Sequence, residues 1–91
     1  MTYKVVYHHL VIRDDIPKLS SEWKEKVRRA IEGRLMTRPD FYGKPLRRSL
    51  KGYRKLRVGD WRVIFTIEKN TVRVLIIQHR SVVYEAVEKR T

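Results

Sequence analysis

The stretch from Leu50 to Phe65, LKGYRKLRVGDWRVIF, limits the fold more than any other part of this 91-residue chain. Two runs of alternating apolar and charged residues flank the pair Gly59-Asp60, and a Gly-X pair between such runs favours a type II′ hairpin turn. In that hairpin Arg57 lies directly opposite Arg62. Because like charges on facing positions destabilise a sheet, this pair indicates an anionic ligand such as a phosphate.

The hairpin is expected to have one apolar and one cationic face, since side chains alternate across a strand. The apolar face would hold Leu56, Val58, Trp61, Val63 and Phe65, and the cationic face Lys55, Arg57 and Arg62. A third strand, residues 71–78, is predicted to pair so that Ile77 faces Arg62. His79 would then lie past the strand end on the cationic face, with Tyr84 leaning back toward His79 and Arg80. The central Ile64, Leu75 and Ile77 would share that face, so its middle must be partly covered.

The composition predicts an anionic partner. Lys and Arg number 22 against 10 Asp and Glu, for a net charge of +12, which favours nucleic acid, an anionic surface or an acidic protein; basic residues that only solvate helix faces are the alternative. No apolar run reaches the length of a transmembrane helix, and the N-terminus lacks a signal-peptide h-region. With no cysteine, no disulfide or thiolate chemistry is available. A cytoplasmic location is expected, without a membrane partner.

The remaining pattern predicts a single α+β domain over residues 1–91. Residues 2–7 form a strand, a short helix from Leu10 stops or kinks at Pro17, and Ser20 or Ser21 caps a longer helix. That helix has an apolar stripe at Trp23, Val27, Ala30, Ile31 and Leu35, which assigns Trp23 to the core rather than to base stacking. Residues 36–52 form a loop, and a terminal helix begins near Val83. The expected architecture is a small, mainly antiparallel four-stranded sheet packed against two N-terminal helices, with a short C-terminal helix.

The candidate site is a cluster of cations with one imidazole and one phenol. Its members are Lys55, Arg57, Arg62, His79, Arg80 and Tyr84. Four further cations, which either bind phosphate backbone or are solvated, are Arg47, Arg48, Lys51 and Arg54. There is no glycine-rich nucleotide loop, HExxH or CxxC motif, so neither a metal nor a small-molecule cofactor is expected.

These residue types suit one reaction on RNA, in which the ribose 2′-hydroxyl attacks the adjacent phosphate and the 5′-oxygen leaves. Arginine can stabilise the charge that develops on the phosphate. A histidine can move the protons, as can a lysine or tyrosine whose pKa is lowered by neighbouring cations. A nucleic-acid-binding protein without catalytic activity is the alternative.

Two segments, YRKLRVGDWRVIF and LIIQHRSVVYEAV, resemble the signature of the RelE/ParE toxin superfamily. In that superfamily a basic strand and an R/K-V-G-D-Y/W-R hairpin precede an H-R-x-x-V/I-Y ending. The resemblance implies the toxin of a type II toxin–antitoxin pair, and RelE-like members cleave mRNA in the ribosomal A site, without metal, by the 2′-hydroxyl route.

The family's functional positions carry over by motif. The basic residues of the first hairpin strand correspond to Lys55 and Arg57, and the arginine after the turn to Arg62. The histidine, the arginine and the tyrosine of the ending correspond to His79, Arg80 and Tyr84. Several relatives carry a further basic residue where this chain has Tyr53, a charge that Arg54 or Lys51 could supply instead. The general base is therefore left among Lys55, His79 and Tyr84.

The resemblance also implies partners, namely a cognate acidic antitoxin that wraps the toxin, the ribosome and mRNA. ParE-like members share the fold but inhibit DNA gyrase and lack nuclease activity. Arg62, Arg80 and Tyr84 together favour the RelE-like reading, with a ParE-like gyrase inhibitor and an inactive nucleic-acid-binding homologue as the alternatives.

Overall fold

The computed structural model describes residues 2–47 and 50–91, which form a five-stranded sheet with helices against both faces. The strands are β1 (Lys4–Tyr7), β2 (Lys44–Pro45), β3 (Arg54–Val58), β4 (Trp61–Glu68) and β5 (Thr71–His79). The helices are α1 (Ser21–Ala30), α2 (Pro39–Tyr42) and α3 (Val83–Arg90). The chain also contains two π-helical turns, Val11–Asp15 and Ile31–Leu35, and a 3-10 turn, Ile16–Lys18.

The sheet has the order β1-β5-β4-β3-β2, with β1 parallel to β5 and the other neighbours antiparallel. The α+β class and the mainly antiparallel sheet are confirmed. The predicted count of four strands is wrong, because Lys44 and Pro45 leave the expected loop and pair with Lys55 and Arg54. Nothing in the local sequence marks so short a strand, which exists only because β3 offers it an edge.

The helix layer forms as its pattern predicts. The 3-10 turn that contains Pro17 ends the first helical segment. The Ser20 Oγ then accepts a hydrogen bond from the Trp23 backbone N–H at 3.3 Å, which caps α1. The stripe that continues from α1 into the following π-helical turn packs into the core: Val27, Ile31 and Leu35 are buried, while Trp23 and Ala30 lie half-buried against them.

The β3–β4 hairpin has the predicted register, with Arg57 opposite Arg62 and Val58 opposite Trp61. Gly59 has a positive φ of +59°, whereas the φ of Asp60 is not positive. This combination is the one that a type II′ turn requires, with a positive φ at its first central residue alone. The predicted apolar face is confirmed: its five residues all pack in the core beneath α1.

A β-bulge corrects the predicted pairing of β5. The register shifts between Ile64 and Phe65, which face Ile76 and Val74, so that Leu75 has no partner across the strand. Because one extra residue reverses the faces of everything beyond it, Arg62 faces Gln78 rather than Ile77. Ile77 instead packs in the core beneath α1.

The second face of the sheet is covered in its middle by α3, as expected for the cationic face. Ile64 and Ile76 of the sheet are fully buried against Val83 and Val87 of the helix. Tyr53, Leu75 and three other partly buried apolar residues pack around this cluster. The helix therefore holds its first turn, which carries Tyr84, beside the β3–β4 hairpin.

A buried ion pair joins Asp15 of the first helical segment to Arg90 at the end of α3. Asp15 accepts hydrogen bonds from the Arg90 guanidinium at 2.6 and 3.2 Å. The same carboxylate accepts one from the Ile77 backbone N–H at 2.9 Å and one from Gln78 Nε2 at 3.2 Å. Both the unpaired edge of β5 and the end of α3 are thus tied to the first helical segment.

Within residues 2–47 and 50–91, none of the helices has the length and apolar character needed to span a membrane.

Candidate functional site

Arg62 is the most firmly held cation of the predicted cluster. It is only 8% exposed, and its Nη1 atom donates to the carbonyl oxygens of Gly59 at 2.8 Å and Trp61 at 2.9 Å. These two bonds orient the guanidinium at the hairpin turn. They leave Nε and Nη2 as the donors available to an anion, in the planar arrangement that suits a phosphate.

Arg57 lies across the hairpin from Arg62 and is exposed. No ion pair joins it to a carboxylate among the described residues. β2 pairs only with the first two residues of β3, so the edge of β3 is open at Arg57. The predicted like-charge pair is therefore present and is not neutralised within the described fold.

Lys55 and Tyr84 meet on the same side of the sheet. The Lys55 Nζ atom lies 3.4 Å from the Tyr84 hydroxyl oxygen and 5.9 Å from the centre of its ring. Lys55 is half-buried, and Tyr84 is 39% exposed in the first turn of α3. An ammonium and a phenol thus share a surface that solvent and a ligand can reach.

Arg80 is placed at the hairpin turn by its own backbone. Its N–H donates to the Asp60 carbonyl oxygen at 2.8 Å, and its Nε lies 3.5 Å from the Asp60 carboxylate. Both side chains are well exposed, so this ion pair is weak and can exchange for a ligand anion. Arg80 and Arg62 therefore both border the turn at residues 59–60.

His79 is not where the sequence predicts it. It is the last residue of β5 and faces Trp61, with the two rings edge to face at 5.7 Å. Because cross-strand partners share a face, His79 lies on the α1 side of the sheet, away from Arg62. The bulge at Ile64/Phe65 causes this error, as it causes the error at Ile77.

The hydrogen bonds of His79 are local. Its Nδ1 accepts from the Ser81 backbone N–H at 3.2 Å and lies 2.8 Å from Ser81 Oγ. A backbone N–H can only donate, so Nδ1 is the acceptor and the neutral ring carries its proton on Nε2. The imidazole thus shapes the β5–α3 connection rather than reaching the cationic cluster. Tyr84, predicted to lean toward His79, contacts Lys55 instead.

The four additional cations behave differently from one another. Arg47 and Lys51 are exposed, and Arg48 lies outside the described residues. Arg54 faces Phe65, on the α1 side, and its Nη1 donates to the carbonyl oxygens of Asp40 and Gly43 at 3.2 and 2.9 Å. It ties β3 to the segment before it, so it does not supply the charge that is missing at Tyr53.

Two structural features that support the site were not predicted from the sequence. Gln78 lies opposite Arg62, and the Asp15–Arg90 pair fixes the far end of the helix that carries Tyr84. One signal was present in the sequence: the run Val74–Ile77 is apolar at four successive positions, which breaks strict alternation and is typical of a bulge or of a strand buried on both faces.

The resulting surface can bind a phosphodiester and stabilise charge on it. Arg62 and Arg80 border the turn, Arg57 faces Arg62, and Lys55 lies beside a phenol. No group of three or more His, Asp and Glu side chains in the described part of the chain is arranged to hold a metal ion. What the surface offers to a substrate is cationic hydrogen-bond donors and one hydroxyl.

The fold and its basic hairpin place the chain among the toxins of type II toxin–antitoxin systems. The family model for the ParE toxin of the type II toxin–antitoxin system parDE matches residues 3–84. The chain therefore belongs to the RelE/ParE superfamily of type II toxins, which confirms the resemblance found in the sequence.

Known relatives agree with this assignment. The chain is 34% identical over 74 residues to Toxin RelE of Mycobacterium tuberculosis, an alignment that covers 77% of this chain and 76% of the relative. A toxin–antitoxin complex from the same organism, RelBE2, contains a chain with 33% identity and a TM-score of 0.81, covering 88% of this chain and 100% of that one. YafQ of Escherichia coli, at 18% identity and a TM-score of 0.59 over 90% of this chain and 98% of its own, shares the fold.

Proposed function

We propose that this toxin is a ribosome-dependent mRNA endoribonuclease that uses the 2′-hydroxyl of the RNA as its nucleophile. The observation that carries the proposal is the meeting of Lys55 and Tyr84, 3.4 Å apart, on the face of the sheet that also carries Arg62. A phosphate bound there would have cations at its oxygens and a proton-carrying group beside it. Similarity to Toxin RelE supports the choice of mRNA as the target.

The roles follow from position. Arg62, oriented by the turn carbonyls, would bind the scissile phosphate and stabilise the charge that develops on it, an effect worth several kcal/mol when the donor is preorganised. Arg80 and Arg57 would position that phosphate from either side of the turn. Lys55 or Tyr84 would take the proton of the 2′-hydroxyl or stabilise the departing 5′-oxygen. His79, on the other face, is not proposed as a catalytic residue.

The proposed partners are an acidic antitoxin and the ribosome. A toxin–antitoxin complex is the state in which the RelBE2 relative was solved, and the net charge of +12 favours an acidic protein as well as ribosomal RNA. An antitoxin that covers Arg62 and Lys55 would prevent these two cations from contacting the substrate. Neutralisation would then require no change in the toxin fold.

Gyrase inhibition is the second candidate, because the matching family model is that of the ParE toxin. On that reading the basic hairpin would contact protein rather than RNA. Lys55 and Tyr84 would then have no proton to transfer, and substitutions that keep the shape of these side chains would preserve gyrase inhibition.

The decisive experiment maps mRNA 5′-ends after brief induction of the toxin in cells. The proposed reaction leaves a 2′,3′-cyclic phosphate and a 5′-hydroxyl, so cuts at in-frame positions of translated messages should carry 5′-hydroxyl ends. Lys55→Met should abolish the cuts. Lys89→Met, which removes an equally flexible charge from an exposed site on α3, should leave them.

Each other result has a defined meaning. A DNA-damage response without mRNA cuts would favour gyrase inhibition, and cuts with 5′-phosphate ends would argue against 2′-hydroxyl attack. Arg62→Ala is a poor test, because it removes two hydrogen bonds from the hairpin turn along with the charge. Within residues 2–47 and 50–91 the Lys55 Nζ hydrogen-bonds only to the exposed Tyr84, so Lys55 can be changed with less risk to the fold.

A further inference from the structure

A second basic surface lies on the α1 side of the hairpin. A cleft of ≈ 640 Å³ separates α1 and the π-helical turn that follows it from the open edge of β3. The cleft is open at Gly33, where an added Cβ would meet no atom within 4 Å. The short β2 contributes to the same opening, because it pairs with β3 only at Arg54 and Lys55.

The lining of this cleft is strongly cationic. It includes Lys26, Arg29, Arg34 and Arg57, and none of the described residues that line it is acidic. Lys26 pairs with Glu22 at 2.8 Å and Arg29 with Glu25 at 3.0 Å, but these pairs are exposed and hold their cations weakly. Arg34, like Arg57, has no ion pair within residues 2–47 and 50–91.

Aromatic rings are interleaved with these cations. The Arg34 guanidinium lies 5.9 Å from the centre of the Tyr42 ring, which is 41% exposed, and Lys26 Nζ lies 4.7 Å from the centre of the half-buried Trp23 ring. Cationic grooves with exposed aromatic rings bind single-stranded nucleic acid, because the cations follow the phosphates and the rings stack on bases. An acidic peptide would use the cations but would leave the Tyr42 ring without a matching group.

The cleft is continuous with the candidate active site through Arg57, which lines the cleft and also lies opposite Arg62. We propose that the cleft binds the single-stranded RNA that flanks the scissile phosphate, with phosphates on Arg29 and Arg34 and a base on Tyr42. This inference takes its substrate from the proposed function. It adds a binding surface that shares Arg57, and no other described lining residue, with the candidate catalytic cluster.

The test measures binding of a short fluorescent single-stranded RNA over a range of salt concentrations, without ribosomes. The double variant R29Q/R34Q should weaken binding and reduce the slope of log affinity against log salt by about 1.4, since each phosphate contact on a single strand contributes about 0.7. K18Q/K24Q removes the same charge from exposed sites outside the cleft and should stay close to the wild type. Y42L should lower affinity by about tenfold with little change in slope.

Two outcomes would overturn the inference. Equal weakening by both double variants would mean diffuse attraction rather than a binding cleft. If R29Q/R34Q bound RNA like the wild type but lost an acidic helical peptide, the cleft would belong to a protein partner. Circular dichroism checks that each variant is folded, which is expected because all four cations are exposed.

The same measurements separate this inference from the proposed function. If the wild type cuts mRNA on ribosomes while R29Q/R34Q binds RNA normally, the cleft assignment fails and the nuclease stands. If no mRNA is cut but RNA binding depends on Arg29 and Arg34, the nuclease assignment fails and the cleft stands.

Discussion

Lys55 and Tyr84 are 29 positions apart in the chain, yet the Lys55 Nζ and the Tyr84 hydroxyl oxygen lie 3.4 Å apart. The contact exists because α3 packs Val83 and Val87 against Ile64, the residue opposite Lys55 in the hairpin. A hydrophobic contact in the middle of the sheet therefore positions the two polar groups at its surface.

The Tyr84 hydroxyl should contribute more to the rate of mRNA cleavage than the His79 ring does. Tyr84→Phe keeps the ring over Lys55 but removes the hydroxyl, and we expect it to slow cleavage of ribosome-bound mRNA by about a hundredfold, the lower end of general acid–base effects. His79→Gln should leave the rate near that of the wild type, because His79 lies on the other face of the sheet. Single-turnover cleavage assays would measure both, and a greater loss for His79→Gln would contradict the placement of His79.

Removing one member of the like-charge pair should stabilise the free protein. Arg57→Gln relieves repulsion with Arg62, and we expect a gain of about 0.2–1 kcal/mol in the free energy of unfolding at low salt. The gain should shrink as salt screens the pair. It should reverse when phosphate or RNA is added, because the variant has one cation fewer with which to bind that ligand. Urea unfolding at two salt concentrations, with and without phosphate, would measure this; a loss of stability at low salt would contradict the repulsion.

Gly59 should tolerate substitution by alanine less well than Gly52 or Gly33. Alanine there meets two penalties: the φ of +59°, which costs an L-residue about 1–2 kcal/mol, and a Cβ that would lie 2.5 Å from the Trp23 ring. Gly52→Ala, at φ +96° with no atom within 4 Å of the added Cβ, should suffer only the backbone penalty.

Gly33→Ala provides the opposite control. In the helical segment with open space around its Cβ, it should stabilise the protein by about 0.5–1 kcal/mol. Thermal unfolding should thus rank the variants, from most to least stable, as Gly33→Ala, wild type, Gly52→Ala and Gly59→Ala. A Gly59→Ala protein as stable as the Gly52→Ala protein would show that the Trp23 contact is not tight.

Substituting one member of the Asp15–Arg90 pair should lower the free energy of unfolding strongly. Its side chains are 1% and 9% exposed, and removing one partner of a buried pair typically costs about 3–5 kcal/mol because the other charge is left behind. Arg90→Met should show this loss. Asp15→Asn/Arg90→Met should recover part of it, since the amide oxygen can still accept from the Ile77 N–H without carrying a charge.

Denaturant unfolding of the single and double variants gives the coupling energy directly. Hydrogen exchange should also show α3 opening more readily in Arg90→Met, because Arg90 is the residue that attaches its end to the body of the protein. Additive effects of the two substitutions would mean that the pair does not act as a unit.

Much of the fold and part of the site could be predicted from local pattern. The stripe of α1 predicted its core face, and the Gly59-Asp60 turn predicted each facing pair from Val58–Trp61 to Lys55–Ile64, all of which the structure contains. These features depend on residues close together in the chain, so the sequence carries their information within a short window. The two-residue strand β2 could not be found in this way, because Lys44 and Pro45 have no alternating pattern of their own and pair only where β3 offers an open edge.

The sequence by itself determined the hairpin, its like-charge arginine pair and the family to which the chain belongs. Only the tertiary structure decided which of the predicted site residues meet. The β-bulge at Ile64/Phe65 sends His79 to the α1 side, while packing of α3 brings Tyr84 to Lys55. The physical reason is that a turn fixes register through bonds between neighbours, whereas a bulge and a docked helix are selected by how distant side chains fill the two cores.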